Sequence, residues 1–326
     1  MTQPMTIDSS PALPAAAPRP VITAGLPARL RARLSALRPA SRPGTGDKTP
    51  FFARGGPRGV LCLHGFTGTP FEVRPLAEAL AGRGFTVLAP ALAGHCGTVA
   101  DLAATGWKEW VASAEEALER LRGEVSDGAG GGPVAVAGFS LGGLLALRLA
   151  RLHPEKVAAL AVMSAPLRLR GYQARAVRVL ARLPALLRRG PLAVLPKLGG
   201  YDIVDEEMGR LNPGLVGMPV AGVASLLELG DVIRRDLPDI HTPTLVAHGE
   251  LDRTVPLQDS LELVGTIGAA RVERLFLPRS GHLIILDVDR SILIEAVSRF
   301  FAAQLGVLRG GAQGDGAGAG SPGRRP

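Results

Sequence analysis

Cysteine is scarce in this 326-residue chain, with only Cys62 and Cys96 present. Two cysteines cannot build the disulfide framework of a small secreted domain. Cys62 lies inside an apolar, strand-like run and reads as a small buried hydrophobe. No run of about 18 or more apolar residues occurs, which argues against a transmembrane helix. The start, MTQPMTIDSSPALPAAAP, lacks a charged segment followed by an apolar one. No secretory signal is therefore expected, and the cytoplasm is the expected compartment. No Cys/His cluster has metal-ligand spacing. Excess charge is also missing where it would matter. The formal net charge is +8, yet residues 1–48 carry seven Lys/Arg against two Asp, and 306–326 carry three Arg against one Asp. Residues 49–305 are left at +1. A near-neutral body with basic ends is poor ground for a nucleic-acid groove, and no nucleic-acid partner is expected.

What is abundant is apolar residue, at 46%, enough for a sizeable core. It falls in an alternating pattern. Strand-like runs are GVLCLHG (59–65), FTVLAPAL (85–92), PVAVAG (133–138), VAALAVMSAP (157–166), TPTLVAHG (242–249) and VERLFLP (272–278). Between them, apolar residues recur at helical spacing in 70–84, 107–121, 141–153 and 292–305. Buried strands alternating with amphipathic helices predict an α/β fold: a mostly parallel sheet with helices on both faces. The alternation breaks at 167–230, which holds helical pieces, prolines and glycines and no convincing strand. The expected organisation is a core of 49–166 and 231–305 with a small helical insertion at 167–230. In such sheets ligands bind at the carboxyl ends of the strands, so an insertion there would cover the site. Residues 1–48 read as a disordered basic arm and 306–326 as a disordered Gly-rich tail. Leu26, Leu30, Leu34 and Leu37 in the arm fit either a membrane-surface or partner helix, or a plain arginine-rich linker.

The chemistry centres on VAVAGFSLGGLL (134–145), where Ser140 stands between Gly138 and Gly142. A serine hydroxyl is a poor nucleophile without a base and an exposing geometry. A sharp strand-to-helix turn supplies the geometry, and side chains at 138 and 142 would clash in it. The new helix also aims backbone N–H groups at the serine. Glycine-rich turns of this kind also bind phosphate or simply pack closely, so the pentapeptide alone leaves that reading open. The order serine, acid, histidine narrows it. Asp252 follows the run 242–249, and His282 follows 272–278. Glu250 and Asp287 are rival acids, one early in its loop and the other after the histidine. His248, His241, His153 and His64 suit structural or surface roles better. Backbone N–H groups of Leu141 and Phe66, the latter in LCLHGFTGTP (61–70), are the candidate oxyanion donors.

These pieces resemble the α/β-hydrolase superfamily, and more narrowly bacterial carboxylesterases and monoacylglycerol lipases with a small helical cap. LCLHGFTGTP, LAPALAGHCGT, TGWKEWV, VAVAGFSLGG, HGELDRTVP and SGHLIILD carry the resemblance, in family order, over about residues 57–290. It implies Ser140 as nucleophile, His282 and Asp252 as its partners, and Phe66 and Leu141 as oxyanion donors. It also implies a cap at 167–230 lining an acyl pocket, a small-molecule ester as substrate, and no metal or organic cofactor. Short- to medium-chain acyl esters or monoacylglycerols are the expected substrates. A thioesterase or amidase with the same triad is the alternative, followed by a non-catalytic binding protein on the same fold. Gly94-His95-Cys96 departs from the family's Gly-His-Gly. The insertion is arginine-rich, which suits transient contact with an anionic membrane surface or a solvated basic face.

Overall fold

The structure, a computed structural model, describes residues 43–125, 131–168, 193–197 and 200–306. Seven strands form one sheet in the order β1-β3-β2-β4-β5-β8-β9. These are β1 (Phe51–Ala53), β2 (Gly59–Leu63), β3 (Thr86–Ala89), β4 (Val134–Phe139), β5 (Val157–Met163), β8 (Thr244–Gly249) and β9 (Val272–Leu277). β1 pairs antiparallel with β3, and every other pairing in this sheet is parallel. Every residue of β2 and β4 is buried. That explains their nearly continuous apolar sequences, because helices cover both faces.

The pleat divides the core in two. Leu61, Leu63, Val134, Val136, Leu160 and Val162 face one way, against helices α3 (Trp107–Glu124), α4 (Leu141–Leu152) and α6 (Val220–Asp236). Val60, Cys62, Ala135, Ala137, Ala159 and Ala161 face the other, against α1 (Arg74–Ala81) and α8 (Arg290–Leu305). The alanines on that second face leave room for Phe300 and Phe301 of α8, both fully buried. Burial of such a side chain stabilises the fold by roughly 1.5–3 kcal/mol. Local sequence sets the helix ends. Thr98 and Asp101 cap α2 (Val99–Ala103) reciprocally. The helix α7 (Leu257–Thr266) follows β8, and α8 stops at Gly306 in the left-handed region, with φ 66°.

Three expectations need correction. The insertion between β5 and β8 is not purely helical. It contains a two-stranded antiparallel ribbon, β6 (Val194–Pro196) with β7 (Gly217–Pro219), beside the short helix α5 (Glu206–Leu211). Three-residue strands flanked by proline carry no readable period. Position 230, taken as the end of the insertion, falls inside α6. Gly230 sits there because a Cβ would come within 3.0 Å of the Leu167 carbonyl, so the glycine permits packing rather than ending the helix. Residues 43–48, read as the end of a disordered arm, are bound to the body. Gly44 and Gly46 N–H groups donate to the Asn212 and Leu211 carbonyls, each at 2.8 Å. The leucine-spaced segment at 26–37, the arginine-rich stretch from 169 to 190 and the tail from 307 onward lie outside the described residues. Among the described residues, no helix is long and apolar enough to cross a membrane.

Candidate active site

β4 runs straight into a turn at Ser140, whose φ is 53° and ψ is −115°. A non-glycine residue held there is strained, which is common where a side chain must be presented for chemistry. The two flanking glycines are required by contact. A Cβ on Gly138 would lie 2.0 Å from the Gly142 carbonyl oxygen, and one on Gly142 would lie 2.1 Å from that of Leu63. The turn is anchored by the Ser140 N–H, which donates to the Met163 carbonyl at the end of β5 (2.8 Å).

Asp252 and His282 reach Ser140 from the loops that follow β8 and β9, at the same carboxyl edge of the parallel strands. The Asp252 side chain is buried in the turn after β8. Its Oδ1 accepts the Thr254 and Val255 N–H groups at 2.8 and 2.7 Å, which orients the carboxylate. Its Oδ2 lies 2.8 Å from His282 Nδ1. An ionised carboxylate only accepts, so His282 Nδ1 carries the proton. Nε2 then offers its lone pair to Ser140 Oγ at 3.1 Å. Burial alone would raise the Asp252 carboxyl, but the His282 charge and several hydrogen bonds outweigh it and hold it well below the usual carboxylate range. Burial likewise pulls His282 down, while the charge and hydrogen bond of Asp252 prevail and raise it above its ordinary value. The acid and histidine loops approach this closely because residue 249 is glycine. A Cβ there would sit 2.2 Å from the Gly281 carbonyl oxygen.

The rival acids do other work. Glu250 is exposed. Asp287 is fully buried and accepts N–H groups from Gly281 (2.7 Å), Asp205 (2.9 Å), Val204 and Val288, so it orders the backbone that presents His282.

The loop after β2 contributes a second N–H. His64 is buried, and its Nε2 accepts the Leu92 N–H at 3.2 Å. Its Nδ1–H therefore donates to the Gly65 carbonyl at 3.0 Å, and the Gly68 N–H donates to the same oxygen at 3.0 Å. That carbonyl belongs to the peptide whose N–H is Phe66. Two donors on its oxygen fix the plane and turn the Phe66 N–H the opposite way. Among the described residues, neither the Phe66 nor the Leu141 N–H donates a hydrogen bond. Burial and the neighbouring His95 push His64 down to about 3, so it stays neutral. It braces the loop, as expected from sequence.

Two residues beyond the sequence-derived set reach the site. His248, at the end of β8, accepts from Ser260 Oγ (2.7 Å) on Nδ1. Its Nε2 faces both the Val255 carbonyl (3.1 Å) and Asp252 Oδ2 (3.2 Å). The sequence did signal a structural hydrogen bond for His248, but not that Asp252 shares it. Glu72 lies under the loop, where its Oε2 accepts the Gly65 N–H at 3.0 Å. Its place in a helical pattern gave no such signal. His153 bonds Glu115, and His241 is exposed. Cys96 occupies a left-handed position, φ 65°, and burial pushes its thiol up to about 11, which keeps it unreactive. Among the described residues, no group of three or more His, Cys, Asp or Glu is arranged to hold a metal. A base-linked hydroxyl is suited to attack on an electrophilic carbonyl.

Residues 56–289 match the family model Hydrolase_4, described as serine aminopeptidase, S33. The chain belongs to this family. The hydrolase is similar to the thermostable monoacylglycerol lipase of Bacillus sp. (strain H-257), at 32% identity over 257 residues, 79% of this chain and 95% of that protein. The carboxylesterase of Bacillus subtilis (strain 168) is 27% identical over 256 residues, 77% of this chain and 95% of the relative. A solved structure described with LipS and LipT, two metagenome-derived lipolytic enzymes, superposes with a TM-score of 0.71. It is 30% identical and covers 80% of this chain and 99% of its own. The hydrolase is thus an α/β-hydrolase of the lipase and carboxylesterase kind, and a carboxylic ester hydrolase.

Proposed function

We propose that the hydrolase cleaves short- to medium-chain acyl esters or monoacylglycerols through an acyl-enzyme on Ser140. The chain of hydrogen bonds from Ser140 Oγ through His282 to Asp252, at 3.1 and 2.8 Å, carries this reading. Ser140 Oγ attacks the ester carbonyl carbon as His282 Nε2 takes the hydroxyl proton. The Phe66 and Leu141 N–H groups stabilise the oxyanion. The C–O bond to the alcohol breaks, and the alcohol leaves with the proton from His282. Water then gives a proton to His282 and attacks the acyl carbon, releasing the carboxylic acid and restoring Ser140. Asp252 holds the tautomer and stabilises the imidazolium. No cofactor and no nucleic acid enters this scheme.

The relatives named for monoacylglycerol and carboxylic esters support a small-molecule ester substrate. We assign the insertion at 167–230 the role of a cap over the acyl chain. Its arginines, with those of the arm, suit transient contact with an anionic surface. Two unpaired cysteines favour a cytoplasmic setting. Amide cleavage by the same groups is the second reading, favoured by the peptidase in the family's description.

The test is hydrolysis of p-nitrophenyl esters from acetate to palmitate beside 1-monoacylglycerol and an aminoacyl p-nitroanilide, for wild type and Ser140→Ala. Ester turnover that disappears in the variant is expected, and the chain-length optimum sizes the acyl pocket. A folded wild type that cleaves the anilide and no ester would replace this reading with the amidase one.

A further inference from the structure

We propose that Glu72 is a positioning residue of this hydrolase, holding the oxyanion peptide from beneath. The inference rests on the functional reading above.

Glu72 lies in a 3-10 turn, Pro70–Val73, at the entrance to α1. A glutamate in the first turn of a surface helix normally faces water. Here it is only 4% exposed. Its Oε2 accepts the Gly65 N–H at 3.0 Å. The loop is wrapped around the carboxylate so closely that a Cβ on Gly68 would lie 2.0 Å from the same oxygen, and one on Gly65 3.1 Å away. Both glycines of His-Gly-Phe-Thr-Gly are thus matched to Glu72.

The consequence falls on the adjacent peptide. The bond to Glu72 fixes the His64–Gly65 plane, and His64 and Gly68 fix the Gly65–Phe66 plane through its carbonyl. With both planes held, the Phe66 N–H cannot swing away from the developing oxyanion. Without Glu72, the Gly65 N–H loses its acceptor in a buried setting, and the loop gains a reason to turn toward water.

The insertion between β5 and β8 supplies the counter-charge. Burial raises the Glu72 carboxyl above its ordinary value and prevails over the opposing pull of Lys197, the Gly65 N–H, the Asn212 side chain and His282. Lys197 itself is pushed down to about 8 by burial, against the pull of Glu72. Its ammonium sits 4.8 Å over the Tyr201 ring, and the Tyr201 hydroxyl donates to the Gly214 carbonyl at 2.8 Å. Next to it, the Leu215 N–H donates to the Thr67 carbonyl at 2.8 Å. The same segment therefore touches the oxyanion loop from outside while Lys197 compensates the carboxylate within. Tyr201 and Cys96 also feel the Glu72 charge, but burial keeps both protonated.

Two variants separate positioning from bulk structure. Kinetics on p-nitrophenyl butyrate are measured for Glu72→Ala and Glu72→Gln, with Ser140→Ala beside them and a melting curve for each. Removing one oxyanion donor outright costs about 100- to 1,000-fold in kcat, so a loosened donor predicts about 10- to 100-fold for Glu72→Ala, with KM within about threefold. Glu72→Gln keeps an acceptor for Gly65 and recovers most of that loss. An unchanged kcat in Glu72→Ala, or a Glu72→Gln variant that loses as much kcat as Glu72→Ala, overturns the proposal. If Glu72→Ala does not fold, Glu72→Asp, whose carboxylate falls short of the Gly65 N–H, takes its place with the same expected loss in kcat. An inactive Ser140→Ala with wild-type Glu72 variants sinks this inference and leaves the nucleophile intact. An active Ser140→Ala sinks the functional reading itself.

Discussion

Replacing Gly249 by alanine tests whether the approach of two loops, rather than the mere presence of three residues, makes the site work. The added Cβ would lie 2.2 Å from the Gly281 carbonyl oxygen and 2.4 Å from that of Ser280. Real side chains essentially never come closer than 3.0 Å, so the 280–281 backbone must retreat by about 0.8 Å. His282 is the next residue along that backbone. Its bonds to Ser140 and Asp252, at 3.1 and 2.8 Å, cannot both absorb the shift. Misplacement by about 1 Å costs on the order of 100-fold in turnover, so kcat is expected to fall by about that factor with KM little changed. The assay is kcat on a soluble p-nitrophenyl ester, with the labelling rate of Ser140 by a fluorophosphonate in parallel. Both report activation of the hydroxyl, and both are expected to drop together. A folded variant with kcat within about threefold of wild type would refute the argument that glycine is required there for catalytic geometry.

Further outcomes follow from the same geometry. Asp252→Asn offers an N–H where His282 needs an acceptor, and kcat is expected to fall about ten-thousandfold while the protein remains folded. Because Asp252 raises His282 and only neutral imidazole accepts the serine proton, kcat/KM is expected to fall as pH drops through a value above the ordinary 6.5, and to be flat above it. A midpoint below 6.5 in a pH–rate profile would contradict that sign. Cys96→Gly relieves a left-handed backbone worth about 1–2 kcal/mol and adds about 0.5–1 kcal/mol of unfolded-state entropy. A net gain of about 0.5–1 kcal/mol is expected in urea unfolding, with activity unaltered.

The chain's own pattern made the sheet legible because buried strands and amphipathic helices differ in period and were long enough to show it. Ser140 was legible for a steric reason: glycines at 138 and 142 have no purpose in an ordinary strand or helix, and both prove to face backbone at about 2 Å. Asp252 and His282 were picked from their place after strands, and the structure brings them within hydrogen-bonding reach of each other and of Ser140. What escaped was short or counter to type. β1, β6 and β7 are three residues each, below the length at which alternation can be read. The insertion was expected to end at 230, a position that lies inside α6, where Gly230 packs against the Leu167 carbonyl. Glu72 drew no reading from sequence and is buried under the loop after β2. His248 read as structural from sequence, but neither its bond to Ser260 nor its contact with Asp252 could be read, since both depend on how the chain after β8 folds back. Polar residues whose partners are distant in sequence carry no local period, so only the assembled fold reveals them.

The most direct test of the central claim is mass spectrometry of the protein after brief mixing with a p-nitrophenyl ester and acid quench. The account predicts an adduct of the acyl mass on the peptide containing Ser140, absent in Ser140→Ala and slow to form in His282→Ala, which lacks the base that acylation needs. An acyl group found on another residue, or turnover that persists in Ser140→Ala, would contradict it.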